Sequence, residues 1–284
     1  GSTYWLYWII ILRFFHLYIK CTTFFEFGIS SILLFMKLFK VILLTIFFIT
    51  PLKANTIYNL IKIPNLELYQ IDKKNQLRYL YASSSFRLGV KKNIVCMNST
   101  KEDYNKKFDL ISYNLNKYSK DFLKKINLRY VVMCENLSIS GINTAGIPDN
   151  IMKTLILDIK FNEKYFKRTI HHEVFHLIND SFKEIFNEDE WVKFNNKNFK
   201  YADCSTCTKK LGLNTYTNTN GFFTEYSQST PSEDMAETFS HIMTLSPKKL
   251  KEINDADNIL KNKVEFIKYR LLKIYKDFKF SEEF

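Results

Sequence analysis

Glycine is nearly missing from this sequence, with 7 residues in 284. Tight turns with positive φ draw on glycine, so its scarcity argues against a repetitive or barrel-like β protein. No fixed-period repeat is present, which argues against solenoids and propellers. Arginine-rich stripes are also missing. The formal charge of +12 comes mostly from scattered lysines, and no nucleic-acid-binding module is visible. Five basic residues (Arg13, Lys20, Lys37, Lys40, Lys53) and one acid (Glu26) fall within residues 1–54, so the remainder carries +8. This excess reads as a solvated lysine-rich surface, with affinity for anionic surfaces or acidic substrates as the alternative. What the chain does have is apolar mass. It is 46% hydrophobic and 16% aromatic, enough for a folded core.

Residues 1–54 differ in kind from the rest. Residues 4–19 and 28–50 are strongly apolar. Within the second stretch, Met36-Lys37-Leu38-Phe39-Lys40 forms a short basic segment, Val41 to Ile49 an apolar one, and Pro51-Leu52-Lys53-Ala54 leads to Asn55. That layout is a secretory signal peptide, though Leu52 is larger than the preferred cleavage residue. The expectation is export to the periplasm or medium, with residues 1–35 as upstream sequence and Asn55 as the mature start. No stable membrane anchor then remains. The alternative is a membrane anchor through residues 1–54.

Past residue 54 the cysteines form an even set: Cys96, Cys134, Cys204 and Cys207. Four cysteines allow three pairings. Cys96 and Cys134 lie in two expected neighbouring strands, so a bond between them is the first choice, with a local bond for Cys204-Ser-Thr-Cys207. Half of a second metal site or a redox pair are the other readings of that CxxC.

A coarse pass reads residues 55–90 as an N-terminal accessory strand region or pro-segment. Residues 91–284 form the main domain. Strands are expected at 94–97, 129–134 and 154–159, and helices over about 101–124, 163–180, from Pro231, and over 248–278. This order gives an α+β fold with segregated helices: a small mixed sheet, an active-site helix, and a mostly helical C-terminal half. The run Leu155, Ile156, Leu157, Asp158, just before the active-site helix, is expected to be the sheet's edge strand. Its free main-chain groups would pair with an extended substrate.

The chemistry centres on His171-His172-Glu173-Val174-Phe175-His176. His172 and His176, four apart on a helix, share a face and reach one tetrahedral Zn²⁺, expected at one per chain. Glu173 falls beside the water such a metal would bind, the place of a general base. His171 points away and reads as a supporting or surface residue. The HExxHxxGxxH extension is missing, so the third ligand must come from elsewhere. Thr230-Pro-Ser-Glu233-Asp-Met-Ala-Glu237-Thr-Phe-Ser-His241 opens a helix whose two glutamates lie one turn apart. One would bind metal while the other, with His241, would support a ligand imidazole. Thr230-x-x-Glu233 is also a capping box, so Glu233 as a mere cap stays open, as does the choice between Glu233 and Glu237.

The stretch from Gly141 to Met243 resembles bacterial zinc-binding metallopeptidases related to the catalytic domain of anthrax lethal factor, which are gluzincins. The matching pieces are Thr154-Leu-Ile-Leu-Asp158, His171 to His176, Gly221-Phe-Phe-Thr-Glu-Tyr226, and Glu233-Asp-Met-Ala-Glu237-Thr-Phe. They cover under half of the chain. The resemblance implies a zincin-like fold, with His172, His176 and Glu233 as zinc ligands, Glu173 as general base, Tyr226 facing the oxyanion, and Glu237 behind a ligand. It also sets the 154–158 strand across the cleft from Tyr226. The activity implied is zinc-dependent endopeptidase cleavage of a peptide or protein substrate. A zinc hydrolase of a non-peptide bond, or a catalytically silent envelope binding protein, are the rival classes. The intact Glu173 argues against the silent protein.

Overall fold

The structure, a computed structural model, describes residues 66–280. The expectations for residues 1–54, and for 55–65, lie outside the described residues. Those described form eight strands and seven α-helices.

The sheet is built around β5 (Tyr130–Ile139). Its first half runs parallel to β2 (Arg78–Ala82) on one side and to β8 (Thr154–Asp158) on the other. Its second half pairs antiparallel with β4 (Ile94–Met97) and β6 (Ile142–Asn143). β1 (Leu66–Ile71) extends the sheet beyond β2, and β3 (Phe86–Leu88) extends it beyond β4. Residues 66–88 are thus part of the same sheet as the main domain. The mid-part of β5 reads as continuous apolar sequence because both faces are covered. Val131 and Met133 face the helices, whereas Val132 and Cys134 face a second cluster with Ile94, Cys96, Ile147 and Ile156. Cys96 and Cys134 are joined there as a disulfide, and Cys204 is joined to Cys207.

The 154–158 strand is present, but it is not the edge. β7 (Gly146–Asp149) lies antiparallel along it, and all five β8 residues are buried. Asp158 is structural: its carboxylate accepts from the Asn136, Leu137 and Lys160 N–H groups where β5 bends. Among the described residues β7 has no second partner, so β7, and not β8, is the edge on this side of the sheet. The Asp158 N–H donates to the Ala145 carbonyl at 3.0 Å. By the alternation of an antiparallel pair, Ala145, Ile147 and Asp149 turn their main-chain groups to β8, and Gly146 and Pro148 turn theirs outward. A proline is tolerated at such a position because no ladder N–H is lost.

Helix α1 (Lys101–Leu115) and helix α2 (Lys120–Lys125) replace the single helix expected at 101–124. Ser119 breaks it by capping α2, accepting from the Phe122 N–H at 3.2 Å. α3 (Glu163–Ser181) buries Phe166, Ile170, Val174, Phe175, Leu177 and Ile178 in the main core. α4 (Glu188–Trp191) is a single turn. α5 (Pro231–Thr244) packs along α3, with Thr230 as N-cap and Pro231 in its first turn. α6 (Pro247–Ala256) and α7 (Asn258–Ile274) divide the expected C-terminal helix at Asp257, which caps α7. No helix among the described residues is long and apolar enough to cross a membrane.

Candidate metal centre

Helices α3 and α5 pack against each other, and the polar seam between them is the candidate site. His172 and His176 are one turn apart on α3. Their Nε2 atoms lie 3.1 Å from each other, and the Glu233 Oε2 lies 2.9 Å from the first and 3.3 Å from the second. These three atoms satisfy a metal-donor geometry, all within 4.8 Å of one another. Glu233 also has its N–H capped by the Thr230 hydroxyl at 3.2 Å, so the capping position and the cleft-facing carboxylate coexist in one residue.

The remaining carboxylate of the pair stands behind His172. Glu237 Oε1 accepts from the His172 Nδ1 at 2.9 Å, and its Oε2 accepts from the Thr224 hydroxyl at 2.9 Å. With Nδ1 committed to Glu237, a neutral His172 turns the lone pair of Nε2 toward Glu233 and His176. Several electron-rich atoms then converge on one point, which calls for a positive charge. Burial opposes an imidazolium at His172, but Glu233 and Glu237 outweigh it and lift its pKa to about 10. Burial likewise opposes charge on His176, and Glu233 overrides it. The donor set therefore fits a divalent cation, which would supply the charge that protons supply otherwise. His176 and Glu233 keep 18% and 14% side-chain exposure against 7% for His172, so the open side of the cluster lies at His176 and Glu233.

Glu173 lies on the same turn, and its buried carboxyl is pushed up from the ordinary range by burial, with His172 and His176 pulling it back. Gly146 of β7 crosses against it: a Cβ there would sit 2.6 Å from the Glu173 Cγ. Tyr226, in a short 3-10 turn before α5, stacks on His172 with ring centroids 5.9 Å apart. Burial, then the carboxylates Glu233 and Glu173, raise its hydroxyl well above the ordinary range, so it keeps its proton.

His241 is more remote than its place on α5 suggested. Its Nδ1 bonds to the Glu237 carbonyl at 2.7 Å and its Nε2 to the Thr215 hydroxyl at 3.0 Å, while Phe223 stacks on the ring. His171 is fully buried, not at the surface, and is held by the Tyr118 hydroxyl and Asn114. Leu155, Leu157 and Asp158 are likewise core or structural residues. Three residues escaped the sequence reading. Thr224 secures Glu237, and Ser232 Oγ lies 3.5 Å from the His176 Nδ1. Arg168 Nε lies 3.7 Å from the Glu237 Oε2. Only Arg168 left a signal, since 168, 172 and 176 share one helical face.

Two imidazoles and a carboxylate on two packed helices, with a second carboxylate behind one of the rings and a buried glutamate beside them, are a donor set that could hold a metal ion. Residues 104–276 match a family described as "Putative zinc-binding metallo-peptidase", and the chain belongs to that family. A solved structure from Bacteroides caccae ATCC 43185 with the same description aligns at 17% identity and a TM-score of 0.48. It covers 71% of this chain and 81% of that one. No curated protein matches the chain significantly.

Proposed function

We propose that this protein is a zinc-dependent endopeptidase in which His172, His176 and Glu233 hold the metal and Glu173 is the general base. The observation that carries the reading is the convergence of two Nε2 atoms and one carboxylate oxygen beside the buried carboxyl of Glu173. Zinc held by these three residues would supply Lewis acidity and lower the pKa of a bound water.

The chain's own groups do the rest. Glu173 takes the proton of the attacking water and delivers it to the leaving amine, a shuttle favoured by a carboxyl held above its ordinary range. Tyr226, protonated, donates to the oxyanion as charge develops. Glu237 fixes the tautomer and ring plane of His172. Substrate is held extended along β7, with the Gly146 N–H as donor and the Pro148 carbonyl as acceptor. This moves the substrate strand from 154–158 to 146–149. The relation to the lethal factor catalytic domain and export through the 36–54 segment belong to the same proposal, and the two disulfides agree with an oxidising compartment.

The test is metal analysis with an unbiased peptide-library digest. Wild type is expected to carry one zinc per chain and to cleave peptides. His176→Ala is expected to lose the metal, and Glu173→Gln to keep it with kcat lowered about 10²- to 10⁴-fold. Stoichiometric zinc in His176→Ala sinks the assignment.

A further inference from the structure

Lys263 sits on the apolar stripe of α7, between Leu260 and Ile267, and is fully buried. Its Nζ donates to the Asp234 Oδ2 at 2.7 Å and to the Gly221 carbonyl at 2.8 Å. It also lies 4.0 Å from the centroid of the Phe222 ring. Asp234 follows Glu233 in the first turn of α5, so its side chain leaves the helix about 100° further round. The same Oδ2 accepts from the Trp191 Nε1 at 2.8 Å and the Tyr201 hydroxyl at 2.6 Å. The other oxygen, Oδ1, has no hydrogen-bond partner among the described residues.

Gly221 lies five residues before Tyr226 and is seated on α7 at both polar groups. Its carbonyl accepts from Lys263, and its N–H donates to the Asp257 Oδ2 at 2.6 Å. Asp257 in turn caps α7 by accepting from the Ile259 and Leu260 N–H groups. Gly221 has φ +88°, and a Cβ there would come within 3.0 Å of Ile259. One ammonium thus ties the turn that carries Glu233 to the segment that carries Tyr226.

A buried ion pair is a weak source of stability, because desolvation cancels much of the attraction and apolar residues of equal volume serve as well. Three donors crowded on one oxygen, with the other left bare, are not arranged for full satisfaction either. What the pair has is direction. It fixes the rotation of the first turn of α5 and the seating of Gly221 against a single point. Building on the metal-centre reading above, we propose that Lys263 is a positioning residue that sets Glu233 and Tyr226 relative to each other through Asp234 and Gly221.

The test is the double substitution Lys263→Met with Asp234→Asn in the full chain. It removes both charges, keeps the side-chain volumes, and leaves an acceptor for Trp191 and Tyr201. The double variant is expected to melt within a few degrees of wild type. Zinc affinity, read by chelator competition, should weaken at least about tenfold, and kcat at saturating zinc should fall at least about tenfold with KM within about twofold. Lys263→Met alone is the second variant, expected to show the same split with a larger loss of stability. Wild-type zinc affinity and kcat in the double variant overturn the proposal. Failure of both variants to fold also overturns it, in favour of a purely structural lysine. A wild-type protein that binds no zinc instead defeats the underlying site reading, independently of the variants.

Discussion

Tyr226 stacks on His172, Glu173 follows that histidine in α3, and burial raises the pKa of each. The Tyr226 hydroxyl keeps its proton near neutrality, and in the proposed mechanism it donates to charge that develops in the transition state. Tyr226→Phe is therefore expected to lower kcat about 10²-fold and leave KM within about twofold, measured on any peptide found by the library digest. An unchanged kcat removes Tyr226 from the mechanism. At this scale the sequence was informative where spacing constrains chemistry. His172, Glu173 and His176 follow from one helical turn, and Glu233 and Glu237 from the next helix. Spacing alone leaves the two glutamates equivalent, and only the resemblance favours Glu233 as ligand; in the structure Glu233 meets the Nε2 side and Glu237 the Nδ1 side of His172. Thr224 and Ser232 left no trace, because a lone hydroxyl has no period. Lys263 did leave one, a charge on an otherwise apolar stripe.

Among the elements, the helices were legible because an amphipathic period of ten residues or more is hard to mistake. α3 and α5 appear at their expected places, with breaks at 116–119 and 257 where Ser119 and Asp257 act as caps. The misplaced edge has a plain cause. β7 is four residues long and contains Gly146 and Pro148, a composition that reads as loop, so in the sequence the apolar run beside it reads as the rim. The consequence for mutagenesis is direct. Leu157→Pro strikes an interior strand and is expected to prevent folding. The informative change is Gly146→Ala. Its Cβ would stand 2.6 Å from the Glu173 Cγ and 3.2 Å from the Ile156 carbonyl, so Glu173 must swing. Zinc content should stay near wild type while kcat falls at least about tenfold, because a base displaced by about 1 Å loses its alignment. Full activity in Gly146→Ala means that Glu173 tolerates displacement and is not the base.

For the molecule as a whole, acid is expected to act partly through a histidine outside the cluster. Burial, with Arg168 adding to it against the opposing pull of Glu237, holds the His241 pKa down to about 4 in the folded chain, against 6.5 for the free side chain. The unfolded chain therefore binds the extra proton first. His241 contributes its stability above pH 6.5, and that share is lost as pH falls from 6.5 toward 4, by at most about 3 kcal/mol. Urea unfolding of metal-free protein at pH 7 and pH 4.5 reads it. The difference between the two should shrink in His241→Gln, and an unchanged difference refutes the assignment.

Pro148 bears on how copies of this protein meet along β7. An open strand that recognises extended chains would, if fully armed with donors, recognise its own neighbours and seed stacked aggregates. β7 turns only Gly146 and Pro148 outward, and Pro148 brings no N–H. An edge-to-edge encounter between two folded copies would thus find one donor per strand, too few to hold a ladder. Along this edge, two copies have little main-chain pairing to offer each other.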